Sequence, residues 1–342
     1  MDRKLASIRT VRAVDPIFNA DMIEKITIDG WQCIAKKGEF HIGDLCVYFE
    51  IDSFLPIKPE FEFLRKSSYR KMGDKEGFKL RTIKLRGTLS QGLALPVSIL
   101  PEGYIYDCPE IGATMCQDDN VTELLGVVLW DPPVPAQLAG KVKGYFPSFI
   151  RKTDQGRVQN LWYRIKDCDE DFEVTVKLDG TSCTYYLNDG KFGVCGRNLE
   201  LLEDDTNTLW KLARQYGIED LLRSCGKNIA LQGEVIGPGI QSNHANPHNM
   251  KEPDFFLFDI WDIDRQTYLP PCLRHAGHVI DFTNLKHVPV VGYYQKLSQF
   301  DTIQDILNFA NGDSLREGLV FKSNDSSLTF KVISNAYLLD ER

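Results

Sequence analysis

Residues 173–181 read Glu173-Val174-Thr175-Val176-Lys177-Leu178-Asp179-Gly180-Thr181. In an extended strand successive side chains alternate between faces, so Val174, Val176 and Leu178 fall on one side and Lys177 and Asp179 on the other. An amine and a carboxylate then share one surface. Gly180 permits a tight turn in which backbone amides approach a phosphate, and Thr181 adds a hydroxyl. The segment can hold a phosphorylated ligand against a lysine, and it can equally be a surface ion pair ahead of a hairpin. A Lys-x-Asp-Gly match alone does not decide between them.

The elements around it fall into two groups. Residues 5–100 alternate with period two in short runs such as Lys25–Ile28, Trp31–Ala35 and Leu45–Ile51, punctuated by Asp29-Gly30, Lys37-Gly38 and Ile42-Gly43-Asp44. A further strand pair is expected at Phe78–Gly87 and Gly92–Pro96. Five or so strands in about 100 residues fit an OB-like β-barrel. The pattern loosens from Pro101 to Tyr145, with Pro132-Pro133-Val134-Pro135 as its least regular piece, which suits a linker. Beyond Phe146, strands are expected near 172–187, 229–236, 255–263, 318–322 and 328–333. A helix over Thr206–Tyr216 places Leu209, Leu212, Ala213 and Tyr216 on one face. The fold class is therefore α+β with two domains.

The composition narrows the function classes. With 342 residues, 43% hydrophobic and 26% charged, the chain is globular and long enough for roughly two domains. No run of about 18 apolar residues occurs and Met1-Asp2-Arg3-Lys4 leads into no signal peptide, so membrane functions and secretion drop out. Nine scattered cysteines without a Cys-x-x-Cys pair read as reduced thiols of a cytoplasmic or nuclear protein. The net charge of −8 hides a local excess: Arg65–Arg86 carries nine basic residues against Asp74 and Glu76, a net of +7. Arg65, Arg70, Lys71, Lys79, Lys84 and Arg86, with Tyr69 and Phe78, can track a phosphate backbone and stack bases. His244-Ala245-Asn246-Pro247-His248 has zinc-like spacing, but Pro247 opposes a helix and no third ligand is near, so it reads as a loop. His275 and His278 read as ordinary surface residues.

The Lys177 segment also resembles motif I of the covalent nucleotidyltransferase superfamily of ATP-dependent DNA ligases, RNA ligases and mRNA capping enzymes. The other motifs follow in order: Gly196-Arg197-Asn198 is similar to motif Ia, and Gln232-Gly233-Glu234 stands before a Gly-Pro-Gly turn. Phe256-Leu257-Phe258-Asp259-Ile260 is similar to motif III, Glu317–Lys322 to motif IV and Phe330-Lys331 to motif V. Tyr145–Asn160 and Leu85-Arg86-Gly87-x-x-Ser90-Gln91-Gly92-Leu93 resemble the Deinococcus-type ATP-dependent RNA ligases, which carry an N-terminal OB module. The resemblance covers essentially the whole chain. It implies an OB-fold nucleic-acid-binding domain over 1–125, a linker over 126–145 and an ATP-grasp-like adenylyltransferase domain over 146–342. Only 11 residues follow Lys331, too few for the C-terminal OB domain of DNA ligases and capping enzymes.

The resemblance implies three steps: Lys177 attacks the α-phosphorus of ATP, AMP passes to an RNA 5′-phosphate, and a 3′-hydroxyl displaces AMP. A lysine with pKa near 10.4 is about 99.9% protonated at neutral pH, so a nucleophilic one needs nearby cations or desolvation. Lys322, Lys331 and a magnesium or manganese ion are expected to supply that charge, with Lys322 and Lys331 counted as catalytic beside Lys177. Asp179, Glu234 and Glu317 are expected to hold the ion mainly through water, Glu234 having ribose hydroxyls as its alternative. Phe258, or Phe256 on the same face, is expected against the adenine with Val320 opposite. Arg197 is assigned to ribose or a substrate phosphate. Arg151 and Arg157, with Lys152, are assigned to the β- and γ-phosphates. One departure stands out: Thr329 occupies the place where many superfamily members have the first lysine of motif V. The implied partner is a nicked RNA-containing duplex or RNA ends, handled by a monomer. A DNA ligase or capping-type enzyme, and an inactive ligase-like nucleic-acid-binding protein, are the alternatives.

Overall fold

The computed structural model describes residues 3–101, 104, 117–131, 140–240, 248–274, 284–312 and 316–340. The Pro132–Pro135 stretch, residues 244–247, His275 and His278 lie outside the described residues. The chain divides into two compact units, Met1–Val134 and Pro135–Arg342.

The first unit is built on a sheet ordered β10-β4-β1-β2-β3, with β1 Ala6–Pro16, β2 Ile23–Ile28, β3 Trp31–Lys36, β4 Leu45–Phe49 and β10 Leu93–Pro96. The long β1 pairs with β4 through Ala6–Thr10 and with β2 from Val11 onward, and a register shift between Val11 and Ala13 marks where it bends. A bulge of this kind lets one strand serve both sides of a curling sheet, the device of an OB barrel. Alternation selects the interior: Ile26, Ile28, Trp31 and Cys33 pack with Val11 and Tyr48 on one side. Ile8, Val47, Phe49, Phe61 and Phe78 form a second cluster.

Between β4 and β10 the chain inserts β5 Ser53–Pro56, α1 Arg65–Ser68, β6 Tyr69–Met72, β7 Lys75–Lys79, β8 Ile83–Leu85 and β9 Thr88–Ser90. The run Phe78–Gly87, expected as one strand, is therefore two. Leu80 turns into the core, its N–H bonding Ser53 C=O at 2.8 Å, and Arg86 and Gly87 at φ 47° and 77° close a separate β8-β9 hairpin. The segment 126–145 is structured at both ends. After α2 Thr122–Leu125, β11 Val128–Leu129 pairs with β5 in the first unit, while β12 Val142–Tyr145 pairs with a strand of the second.

The second unit holds two sheets. One runs β12-β17-β16-β15-β18-β19-β20, with β15 Thr181–Asn188, β16 Lys191–Cys195, β17 Leu199–Leu201, β18 Ile229–Ile236, β19 Asp254–Asp262 and β20 Thr267–Tyr268; β21 Lys286–His287 joins β19. Helices α4 Thr208–Gln215 and α5 Ile218–Ser224 cover it through Leu209, Leu212, Ala213 and Leu222. Asn207 caps α4 by accepting from the N–H groups of Leu209 and Trp210. The other sheet runs β13-β24-β23-β14-β22, with β13 Gly156–Arg157, β14 Phe172–Lys177, β22 Val290–Gln295, β23 Gly318–Ser323 and β24 Thr329–Ile333. Short α3 Trp162–Ile165 and α6 Ile303–Asn311 pack on its Phe172, Val174, Leu319 and Phe321 face. The last helix is α7 Asn335–Asp340. The chain passes from one sheet to the other through Leu178-Asp179-Gly180, between β14 and β15. Among the described residues no helix is long and apolar enough to cross a membrane.

Candidate functional site

Register decides which side chains face the crossing. In β14, β23 and β24 one alternation buries Phe172, Val174, Leu319, Phe321, Phe330 and Val332 in a common core. The other alternation collects Thr175, Lys177, Val320 and Lys331 on the opposite face, with Lys177 paired to Gly318 and Val320 to both Thr175 and Lys331. At the mouth of this face Lys177 Nζ donates to Glu317 Oε1 at 2.5 Å. The lysine is 25% exposed and the carboxylate 19%.

The turn after Lys177 is held from three sides. Asp179 N–H donates to His248 Nε2 at 3.1 Å, and Tyr337 Oη donates to Asp179 Oδ2 at 2.5 Å. Gly180 lies so close to β18 that a β-carbon there would stand 2.2 Å from the carbonyl oxygen of Val235. A side chain at this position would push the turn and the start of β15 away from β18.

Glu234 faces the same place from β18, opposite Ser182 and Phe256. Burial raises its carboxyl to about 7; Lys177 opposes the shift, while Glu317 and Asp179 add to it. Glu317 is raised by burial too, against the pull of Lys177. Lys331 Nζ donates to Asp154 Oδ1 at 3.3 Å, and burial lowers its ammonium to about 8, with Lys177 and Arg157 adding repulsion against the pull of Asp154. Arg157 lies beside Lys331 in the parallel β13-β24 pair. Arg197 and Arg151 are exposed; the Arg151 carbonyl accepts from Gln232 Nε2 at 2.9 Å, which ties its backbone to β18.

Lys322 departs from expectation. It sits opposite Glu173, four positions along β23 from the residue that pairs Lys177, or about 13 Å of strand. Its ammonium is buried, donating to Asp259 Oδ1 at 2.5 Å and to Phe258 C=O at 2.7 Å. Burial lowers its pKa and Asp259 opposes that shift. Glu173 and Arg274 form a second buried pair beside it. Lys322 is thus a cation held behind the site, its charge matched by Asp259 and not brought to Lys177.

Phe258 lies at a register shift between β18 and β19, where Gln232 pairs Asp259 and Gly233 pairs Leu257. Phe256 and Phe258 both remain half-buried against Leu178, Ile236 and Val288, with Lys286 over the first ring at 5.9 Å and Lys322 over the second at 5.7 Å.

The donor set fits a hard cation. Asp179, Glu234 and Glu317 are close enough to disfavour one another's charge, and Glu317 Oε2 is buried without a hydrogen-bond partner. Among the described residues no three His, Cys, Asp or Glu side chains converge tightly enough to ligate a metal directly. Oxygen ligands reaching an ion through its water shell suit magnesium or manganese.

In the first unit the basic segment is partly neutralised internally. Arg65 forms a two-point pair with Glu62 at 2.6 and 2.7 Å, Lys71 pairs with Glu76 at 2.7 Å, and Lys79 lies over Trp130 at 5.1 Å. Arg70, Lys84 and Arg86 are exposed. Sequence reasoning missed Glu62, which lies just outside the counted segment, and also His248 and Tyr337. His248 follows Pro247 in a segment whose sequence reads as a loop, and no pattern connects Tyr337 to a residue 158 positions earlier.

A family model described as RNA ligase matches residues 170–333, and one described as an OB-fold domain matches residues 5–97. Among solved structures the chain is similar to Naegleria gruberi RNA ligase with pyrophosphate, at 45% identity over 98% of each chain and a TM-score of 0.79. A variant of that ligase with AMP and manganese aligns at 43% identity over 99% of each chain with a TM-score of 0.80. Another, with ATP and manganese, aligns at 43% over 99% of each chain with a TM-score of 0.79. No curated protein sequence matches the chain.

Proposed function

Because the chain belongs to the family of ATP-dependent RNA ligases that carry an N-terminal OB module, we propose that it seals 3′-OH/5′-phosphate breaks in RNA through a covalent adenylate on Lys177. Nicked duplexes are the proposed substrate. The observation that carries this reading is the ion pair of Lys177 with Glu317, set on one strand face with Lys331 and beside a turn where only glycine fits.

The chemistry runs through the chain's own groups. Lys177 Nζ forms the N–P bond to the α-phosphorus of ATP as the bond to pyrophosphate breaks. Glu317 Oε1, already the acceptor of an Nζ proton and raised by burial, holds the proton that the amine gives up. Lys331, charged below about pH 8, stabilises the negative charge that builds on the phosphate oxygens. Asp179, Glu234 and Glu317 hold a magnesium or manganese ion through water, and that ion supplies further positive charge at the phosphates. Glu234 also accepts from ribose hydroxyls, Phe258 or Phe256 lies against the adenine with Val320 opposite, and Arg197, Arg151 and Arg157 meet phosphate oxygens. The adenylate then passes to an RNA 5′-phosphate, and the 3′-hydroxyl displaces AMP.

Incubation of wild type and Lys177→Ala with α-labelled ATP and magnesium tests the reading. Label on wild type alone is expected. An unlabelled wild type, or equal label on the variant, overturns it, and label from GTP in place of ATP redirects it to a capping-type enzyme.

A further inference from the structure

We propose that Tyr337, on the C-terminal helix, is a positioning residue that fixes the Asp179 carboxylate and reserves its Oδ1 for the water shell of the bound cation. The inference rests on the adenylate reading above and concerns residues past 333, where the match to the ligase family model ends.

Tyr337 is 7% exposed, and its hydroxyl donates to Asp179 Oδ2 at 2.5 Å. A helix of six residues has little stability of its own, so what places this phenol is the chain around it. Ser334 does that. Its N–H donates to Glu317 C=O at 2.9 Å, its Oγ accepts from Tyr337 N–H at 3.1 Å, and the same Oγ donates to Asn311 Oδ1 at 3.0 Å. One short segment therefore grips the backbone of the carboxylate that pairs Lys177 and the side chain of the carboxylate two residues after it.

The consequence follows from reach. An aspartate with both oxygens unconstrained beside a lysine two residues away can rotate to pair with that ammonium and hold it in its protonated, non-nucleophilic form. Hydrogen-bonded at Oδ2 by a buried phenol, Asp179 keeps one rotamer and one oxygen facing the cation's water. The partner of a directly ligating residue is worth about 10- to 100-fold in metal affinity. Asp179 reaches the ion through water, so the loss of its own partner is expected at the low end of that range.

Tyr337→Phe keeps the ring and removes only the hydroxyl. The test compares wild type, Tyr337→Phe, Asp179→Asn and the double variant by manganese titration calorimetry without nucleotide and by label uptake from α-labelled ATP over a manganese series. The expected result is a manganese affinity about tenfold weaker for Tyr337→Phe, with the ATP KM at saturating manganese within about twofold of wild type. The double variant should be no worse than Asp179→Asn alone. Unchanged manganese affinity in Tyr337→Phe, or additive losses in the double variant, overturns the proposal even where the melting temperature falls, because the phenol is then only a packing anchor. Should wild type take no label from ATP, the adenylate reading fails by itself, and the calorimetric cycle still judges the Tyr337–Asp179 coupling.

Discussion

Two titrating groups, Glu234 at about 7 and Lys331 at about 8, predict the pH profile of the first step. The profile of kcat/KM reports the free enzyme, so self-adenylylation should rise as Glu234 ionises near pH 7 and fall as Lys331 loses its charge near pH 8. An arginine stays charged far above that range, so Lys331→Arg should move the alkaline limb up by at least one pH unit, at a cost in rate because its planar fork replaces a point charge. Rapid-quench labelling between pH 6 and 10 reads both limbs. An alkaline limb unmoved in the variant would take Lys331 out of the charge-dependent step. The residues in this prediction were legible in the sequence because its motifs resemble those of the nucleotidyltransferase superfamily in the same order, and phosphoryl chemistry suits their types. Lys322 shows the limit of that legibility. Its place in motif IV marks it as functional, but only the fold reveals that Asp259 and the Phe258 carbonyl already occupy its ammonium. Tyr337 carries no mark at all, since its partner is brought to it by two sheets and a turn.

At the scale of elements, period-two alternation located most strands of both units, and the apolar face of α4 was visible as Leu209, Leu212 and Ala213. Where one strand stops is marked only by a slip of phase. Phe78 to Gly87 reads as one strand only if the slip at Arg81-Thr82 is passed over, since Phe78 and Leu80 alternate in one phase and Ile83 and Leu85 in the other. The backbone leaves the first strand at Leu80, whose side chain is buried and whose N–H bonds Ser53. That division matters for the nucleic-acid surface. Arg65 and Lys71 are matched by Glu62 and Glu76, whereas among the described residues Arg70, Arg81 and Arg86 form no ion pair. Each charge released to a duplex phosphate contributes about 0.9 to the slope of log K against log salt. Changing Arg70, Arg81 and Arg86 together to alanine should therefore reduce the slope for a nicked duplex by roughly 2 to 3. Changing Arg65 and Lys71 should reduce it by less than 1, since each already faces a carboxylate that it would have to give up for a phosphate. Fluorescence anisotropy over a salt series distinguishes the two. Equal slopes for both variants would remove the β8-β9 hairpin and the β6 strand from the binding surface.

For the molecule as a whole, the net charge of −8 conceals a balance set in the second unit. Its site keeps buried charges that the fold alone does not satisfy. The folded-state carboxyl of Glu234 is raised from 4.5 to about 7, so the stability it contributes is fully present below about 4.5 and is lost as pH rises through 7. Lys331 is the mirror case: lowered from 10.5 to about 8, it contributes stability above 10.5 that is lost as pH falls through 8. At pH 7.5 both groups are mostly charged and both work against the fold, a cost that a bound cation and a nucleotide phosphate relieve. Glu234→Gln should then raise the melting temperature of the unliganded protein at pH 7.5 by several degrees. That corresponds to about 2 kcal/mol once the solvent reaching this partly buried side chain is allowed for. The gain should shrink by more than half at pH 5, where the wild-type carboxyl is already protonated in the folded chain. Manganese with a non-hydrolysable ATP analogue should stabilise wild type more than the variant. Calorimetric scans at the two pH values decide it. A variant less stable than wild type at pH 7.5 would mean that Glu234 is held by its attraction to Lys177 more than it is strained by burial. The site would then be an ion-pair network that supports the fold at no cost to stability.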